Sequence, residues 1–128
     1  MAADRWQGRH QPGVAVTAVG VEHVRLSYEY LDQRDIDGYA SLFDADAVLQ
    51  RPGEREVRGR DEIEAYQARR QHRSATHVVD EVIAAEGRVA VVGRLVGAGV
   101  ETGFADIFAI GEHGLLCSKR TFFFIAPA

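Results

Sequence analysis

A chain of 128 residues, 46% hydrophobic and 27% charged, is long enough to close one sizeable core and has the composition of a single globular domain. Fifteen Lys and Arg stand against 19 Asp and Glu, a formal net charge of −4 with no basic stripe, which argues against a nucleic-acid partner. No apolar run approaches the roughly 20 residues that cross a bilayer, and Cys117 is the single cysteine. The expectation is a cytoplasmic protein with no membrane partner and no internal disulfide.

Residues 1–13 are polar, contain Gly8, Pro12 and Gly13, and lack the apolar core of a secretory leader. They are expected to form a flexible arm ahead of a domain spanning 14–128, with Trp6 either exposed or docked on a groove or a neighbouring subunit. Residues 14–19 fit an extended lead-in or a first helical turn equally well. A helix is expected over 18–34. At 100° per residue, Val21, Val24, Tyr28, Leu31 and Asp32 share one stripe of it. A carboxylate on an apolar stripe is costly without a partner, so Asp32 either frays into water beside Arg34 or faces a pocket as its acid or base.

Ile36, Tyr39, Leu42 and Phe43 have the spacing of a short amphipathic helix. A turn is expected at 44–46, a strand at 47–50, a Pro52-Gly53 turn, and a weak returning strand at 54–58. A third helix follows, with Asp61 as its N-cap, Ile63 and Tyr66 on its buried face, and its end near Gln71. The basic cluster Arg69, Arg70, His72 and Arg73 reads as a solvated helix end.

From Ala75 the period changes from 3.6 to 2. Strands are expected over 76–85, 89–97, 102–110 and 115–125, joined by turn-like links. Helices first and long antiparallel strands last predict an α+β fold, with the helices on one face of a meander. A tip at Glu86-Gly87 would put His77 opposite Val96 and would put His77, Val79, Glu81 and Ile83 on one face. A tip at Glu112-His113 would put Asp106 opposite Lys119 and Phe104 opposite Thr121. Phe104, Asp106, Phe108 and Ile110 then share a bulky apolar face, and Ala105, Ile107 and Ala109 the other. A carboxylate between two phenylalanines needs a cation partner or a raised pKa. An ideal ladder sends Arg120 to the opposite face from Asp106 unless a bulge intervenes.

Among the motifs that carry chemistry, no HxH, HExxH or Cys-rich spacing is present, so no metal is expected. Neither a phosphate-binding Gly-rich loop, a dinucleotide fingerprint nor a GxSxG elbow occurs, so no cofactor is expected.

The runs YLDQRDIDGYASLFDADAVLQ, RGRDEIEAY, ATHVVDEVIAAEGRVAVV and FADIFAIGEHGLLCSKRTFF together resemble the SnoaL-like branch of the nuclear transport factor 2-like superfamily over residues 21–124. The resemblance implies a cone: three N-terminal helices against a strongly curved, mostly antiparallel sheet that encloses a pocket. Activity in such a family varies by site. The base of ketosteroid isomerases would fall near Arg51, and arginine cannot serve as that base. The late aspartate of limonene epoxide hydrolase falls at Phe124. Dehydratase-like members fit better: their strand-start histidine matches His77, their helix-end aspartate Asp32, and their late aspartate and arginine Asp106 and Arg120. Their early tyrosine aligns with Ser27, a departure, and Tyr28 beside it is better aimed at Asp32 than Tyr30.

The resemblance, with these residues in place, implies a cofactor-independent dehydratase, isomerase or cyclase of specialised metabolism acting on a small apolar, polyketide- or steroid-like organic ligand. His77 would be the base, Asp32 its orienter, Tyr28 an oxygen-polarising group and Asp106 a further catalytic carboxylate. Arg120, Glu81, Phe104 and Phe108 would contact substrate, and the outer sheet face would form a homodimer. The alternatives are a non-catalytic ligand-binding or dimerisation module and a small subunit of an oxygenase. A pocket with His77 and Asp32 in hydrogen-bond reach favours the enzyme, and one plugged by phenylalanines favours the module.

Overall fold

The computed structural model describes residues 13–70, 75–97 and 99–124. The expectations placed on the arm with Trp6, on His72 and Arg73, and on the last strand beyond residue 124 lie outside these residues.

Helix α1, Val14–Gln33, begins four positions before the expected start, because residues 14–17 continue the helix instead of leading into it. It stops where Arg34 turns left-handed (φ 60°), and the Arg34 and Asp35 amides close back on the carbonyls of Leu31 and Tyr30. Asp35 then caps α2, Ile36–Ser41, by accepting from the Gly38 amide at 2.9 Å. The expected stripe is the buried one: Val24 and Tyr28 are in the core, with Val21 and Leu31 packed at its margin.

β1, Phe43–Gln50, is longer than expected. Residues 44–46, read as a turn, are an irregular stretch inside it. Phe43 pairs with Leu116 but Val48 with Ser118, so the extra residues loop out, with the Asp46 amide bonded to Asp44. β2 is only Val57–Arg58. Helix α3, Arg60–Ala68, starts at Gly59 (φ 92°) without a side-chain cap, so Asp61 is in the first turn and is not the N-cap. Arg60 anchors this start by donating twice to the Phe43 carbonyl, at 2.9 and 2.8 Å.

The strands β3 (Thr76–Ala85), β4 (Arg88–Gly97), β5 (Val100–Ile110) and β6 (Leu116–Phe124) form the expected antiparallel meander. β1 then adds to β6 in parallel, giving the order β2-β1-β6-β5-β4-β3. The described elements are three helices packed against this curved six-stranded sheet, which ends at β2 and β3 without closing. Val24, Tyr28, Tyr39 and Ile63 from the helices meet Val89, Val91, Phe104, Phe108 and Leu116 from the sheet.

Two registers differ from expectation. Asp106 lies opposite Thr121, Phe108 opposite Lys119 and Phe104 opposite Phe123. The link after β5 is a wider loop, closed by Gly111 on Leu115 and Gly114 on Gly111, with a bulge at Ala109/Ile110. The offset is two residues, so every side chain keeps its expected face. The second difference changes faces. In β3, Glu81 pairs with Val92 as expected, but a bulge at Asp80 puts Val79 opposite Gly93 and His77 opposite Leu95. His77 therefore shares the inner side with Leu95, whereas Glu81 and Ile83 point outward and are exposed. Arg94 forks the Asp80 carboxylate with two contacts of 3.1 Å, holding the bulge from outside.

Gly93 permits this arrangement. A Cβ there would collide with the Val78 carbonyl oxygen and come within 2.9 Å of the Phe104 ring. The Gly93→Ala substitution should lower stability by about 1–3 kcal/mol in urea denaturation, the usual cost of forcing atoms into a packed site. An unchanged midpoint would show that β3 and Phe104 yield freely.

Candidate functional site

The helices and the inner sheet face enclose a cavity of about 450 Å³. Its apolar wall includes Leu31, Ile36, Leu49, Leu95 and Phe123, and its polar lining includes His77, Tyr39, Lys119 and Thr121. Arg51, Glu54 and Arg70 stand together along one wall: Glu54 accepts from Tyr66 Oη at 2.7 Å and lies 3.4 Å from Arg51 and 3.7 Å from Arg70. The Tyr66 hydrogen bond, followed by the two guanidiniums, holds the Glu54 carboxyl below the usual range against the opposing effect of burial.

His77, which lines this cavity, meets Asp32, 45 positions away in the chain. His77 Nδ1 is 2.7 Å from Asp32 Oδ1, and the His77 amide donates to the same carboxylate at 3.1 and 3.2 Å. One carboxylate thus fixes both the backbone and the ring of His77, and Nδ1 is assigned as the donor. In the neutral ring Nε2 is then the basic nitrogen. The ring rests against Tyr28 (centroids 5.2 Å) and edge-on to Phe104 (5.6 Å). Burial lowers the His77 pKa and outweighs the Asp32 hydrogen bond that raises it, with the Lys119 charge adding to the fall.

A second polar cluster lies beneath. Asp106, 2% exposed, accepts from Tyr28 Oη at 2.6 Å and Thr121 Oγ1 at 2.5 Å, with Lys119 Nζ at 3.9 Å. Lys119 donates to Tyr39 Oη at 3.3 Å. Burial, then the Asp106 charge and hydrogen bond, push the Tyr28 phenol far above its ordinary range. Tyr28 therefore keeps its proton and donates a hydrogen bond to Asp106.

The sequence-predicted residues separate into three groups. His77 lines the cavity and Asp32 converges on His77. Tyr28, Asp106, Phe104 and Phe108 are buried behind it: Tyr28 spends its donor on Asp106, and Phe123 and Tyr39 bring aromatic rings to the cavity instead. Arg120 and Glu81 do not converge on it. Arg120 pairs with Ile107 on the outer face, its guanidinium 5.0 Å over Phe122, because the β5–β6 bulge lies at Ala109/Ile110 and leaves the ladder at Arg120 regular. Tyr39, Lys119, Thr121 and the Arg51–Glu54–Arg70 wall were not assigned to the site from sequence. Tyr39 followed a core pattern, and Lys119 read only as a structural counter-ion for Asp106.

The family model for the SnoaL-like domain matches residues 24–118. The chain belongs to this family. Among solved structures, this SnoaL-like domain is similar to SalBIII, described as an epoxide hydrolase/cyclase-like enzyme in pyran ring formation in the polyether salinomycin. That pair has 18% identity and TM-score 0.72, covering 83% of this chain and 91% of the other. A ketosteroid isomerase-like protein from Kribbella flavida gives 17% identity and TM-score 0.76, covering 88% and 82%. A protein from a soil-derived mobile gene cassette gives 22% and 0.73, covering 85% and 92%. No curated protein sequence matches. At these identities the structural likeness establishes the SnoaL-like fold alone. Among the described residues, no cluster of His, Cys, Asp and Glu is arranged to hold a metal ion, and no helix is long and apolar enough to cross a membrane.

The electrostatics of His77 can be measured directly. Its folded pKa lies below its ordinary 6.5. As pH falls through that value the unfolded chain binds the proton first, so the domain loses stability below it and gains nothing from this group above it. A histidine NMR titration should place the His77 midpoint under 6.5. Asp32→Asn should lower it further, because both contributions of Asp32 raise it. A midpoint above the ordinary value, or one indifferent to Asp32→Asn, would refute this account of the dyad.

Proposed function

We propose that this SnoaL-like protein is a cofactor-independent enzyme that removes a proton adjacent to a carbonyl in a small, largely apolar molecule. The outcome is loss of water, isomerisation or ring closure. The observation that carries this reading is the 2.7 Å contact between His77 and Asp32 at the wall of a cavity of about 450 Å³. A neutral, oriented imidazole beside a small-molecule-sized space is the arrangement that general-base chemistry requires.

Nε2 of His77 takes the C–H proton, and the bond's electrons move toward the carbonyl carbon and onto its oxygen. The imidazolium that forms is stabilised by the Asp32 carboxylate. It then returns the proton to a departing hydroxyl, completing dehydration, or to another carbon, completing isomerisation. Tyr28, Asp106 and Thr121 hold the cavity wall in place. Polyketide- or steroid-like skeletons are the proposed substrates, and the apolar wall of Leu31, Ile36, Leu49, Leu95 and Phe123 supports that choice. The cavity would serve a non-catalytic binding domain equally well, and kinetics separates the two readings.

The ligand can be identified by mass spectrometry of material co-purifying with the protein, and turnover measured on it. His77→Ala should lower turnover about 10²–10⁴-fold, the usual worth of a general base. Asp32→Asn should lower it with the fold intact by circular dichroism. Parent-like turnover by His77→Ala would remove the dyad from the mechanism, and a parent protein that binds without turning over would establish the binding domain.

The same proposal includes a homodimer formed through the outer sheet face. Phe122, Phe124 and Ile107 are 38%, 47% and 37% exposed there, and Phe122 and Phe124 pair with the small residues Ala105 and Gly103. Ala109 continues this shallow surface, on which a second sheet can approach closely. Light scattering should report twice the chain mass at micromolar concentration. A monomer there would rule the dimer out.

A further inference from the structure

We propose that Lys119 and Tyr39 are catalytic residues that hold the substrate's carbonyl oxygen at the cavity floor and stabilise the negative charge it acquires. The assignment rests on the proton-abstraction reading and supplies its missing electrophilic end. It also defines the substrate class: a molecule whose polar head is an oxygen able to become an enolate or phenolate-like anion, with an apolar body.

Abstraction next to a carbonyl places charge on oxygen, and a pocket that promotes it must offer preorganised donors there. Tyr28 cannot supply one, because its hydroxyl proton is committed to Asp106 at 2.6 Å. Arg120 cannot, because it lies on the outer face. Lys119 and Tyr39 both line the cavity. Among the described residues, the ammonium of Lys119 donates to Tyr39 Oη alone, at 3.3 Å, while Asp106 at 3.9 Å neutralises it through space without a hydrogen bond. An ammonium carries three donors, so a buried one with a single acceptor has capacity for a ligand oxygen. Tyr39 Oη accepts from Lys119, which leaves its own proton to be donated, and a hydroxyl that accepts from a cation is a stronger donor in turn.

The charge states agree with these roles. Burial works to strip the Lys119 proton, but the neighbouring Tyr39 and Asp106 outweigh it and the net shift is upward, so the group stays an ammonium. That ammonium lowers the His77 pKa after burial has done so, which keeps the base free to accept a proton. The two ends of the cavity are thus tuned in opposite directions.

The test uses 4-nitrophenol, whose anion mimics an enolate oxygen and absorbs visible light. The parent protein should bind the anion and lower the pH at which the bound phenol ionises. Tyr39→Phe and Lys119→Met should each weaken anion binding about tenfold or more, the worth of a charge-assisted hydrogen bond. Glu81→Gln, at an exposed, outward position on β3, should retain it. Tyr39→Phe keeps the ring that packs the core, so it gives the result even where Lys119→Met fails to fold. Binding as the neutral phenol, no binding at millimolar phenol, or equal anion affinity in a folded Tyr39→Phe protein would overturn the assignment. Anion binding lost in His77→Ala but kept in Tyr39→Phe would overturn it too, because the oxygen would then sit on the histidine. The outcome is independent of whether His77→Ala abolishes turnover, so failure of the base and failure of this assignment are read separately.

Discussion

A carboxylate placed at the centre of an apolar sheet face has to be answered from every side, and Asp106 is answered from three. Tyr28 reaches it from α1, Thr121 from the adjacent strand β6, and Lys119 from the same strand with its charge. Leaving any of these partners out would cost the desolvation of a buried polar group, so the cluster fixes how α1 lies across β5 and β6. Lys119 carries the constraint onward to α2 through Tyr39. One turn beyond Tyr28 on the same stripe is Asp32, and its meeting with His77 is a consequence of where Asp106 holds the helix.

The cavity floor and wall therefore share one origin. The same buried charge that seats the helix keeps an ammonium close to His77, while the surrounding apolar packing keeps the imidazole neutral. Titratable groups whose environments push them apart are the usual mark of an acid–base site. Here the separation is produced by packing and by one ion pair.

Much of this was legible in the chain because it depends on period. The stripe Val24–Tyr28–Asp32 is a helical repeat, and the alternation of Phe104, Asp106 and Phe108 is a strand repeat; both survive a two-residue slip of register. The convergence of Asp32 and His77 followed from a helix stripe and a strand face pointing into one space, together with the family resemblance. The bulge at Asp80 was not legible, because no local signal separates Val79-Asp80-Glu81 from a regular strand. Without it His77 and Glu81 would share a side, as the ideal ladder required. Tyr39 and Lys119 were hidden for a different reason: their neighbours come from parallel pairing of β1 with β6 and from the docking of α2, which no periodicity encodes. Asp61 misled because Gly59, through its backbone conformation, starts α3 earlier.

The bulge at Asp80 has a second consequence. β3 is an open edge of the sheet, ten residues long, with exposed Val79 and Ile83. A regular edge of that length and character would present an unbroken row of amides and carbonyls to a strand of another molecule. The irregularity breaks that row midway, and Asp80 with Arg94 sets charge at the break. What turns the His77 ring toward the cavity also makes this edge a poor template for strand addition, so the guarding of the edge and the orientation of His77 depend on the same single inserted residue.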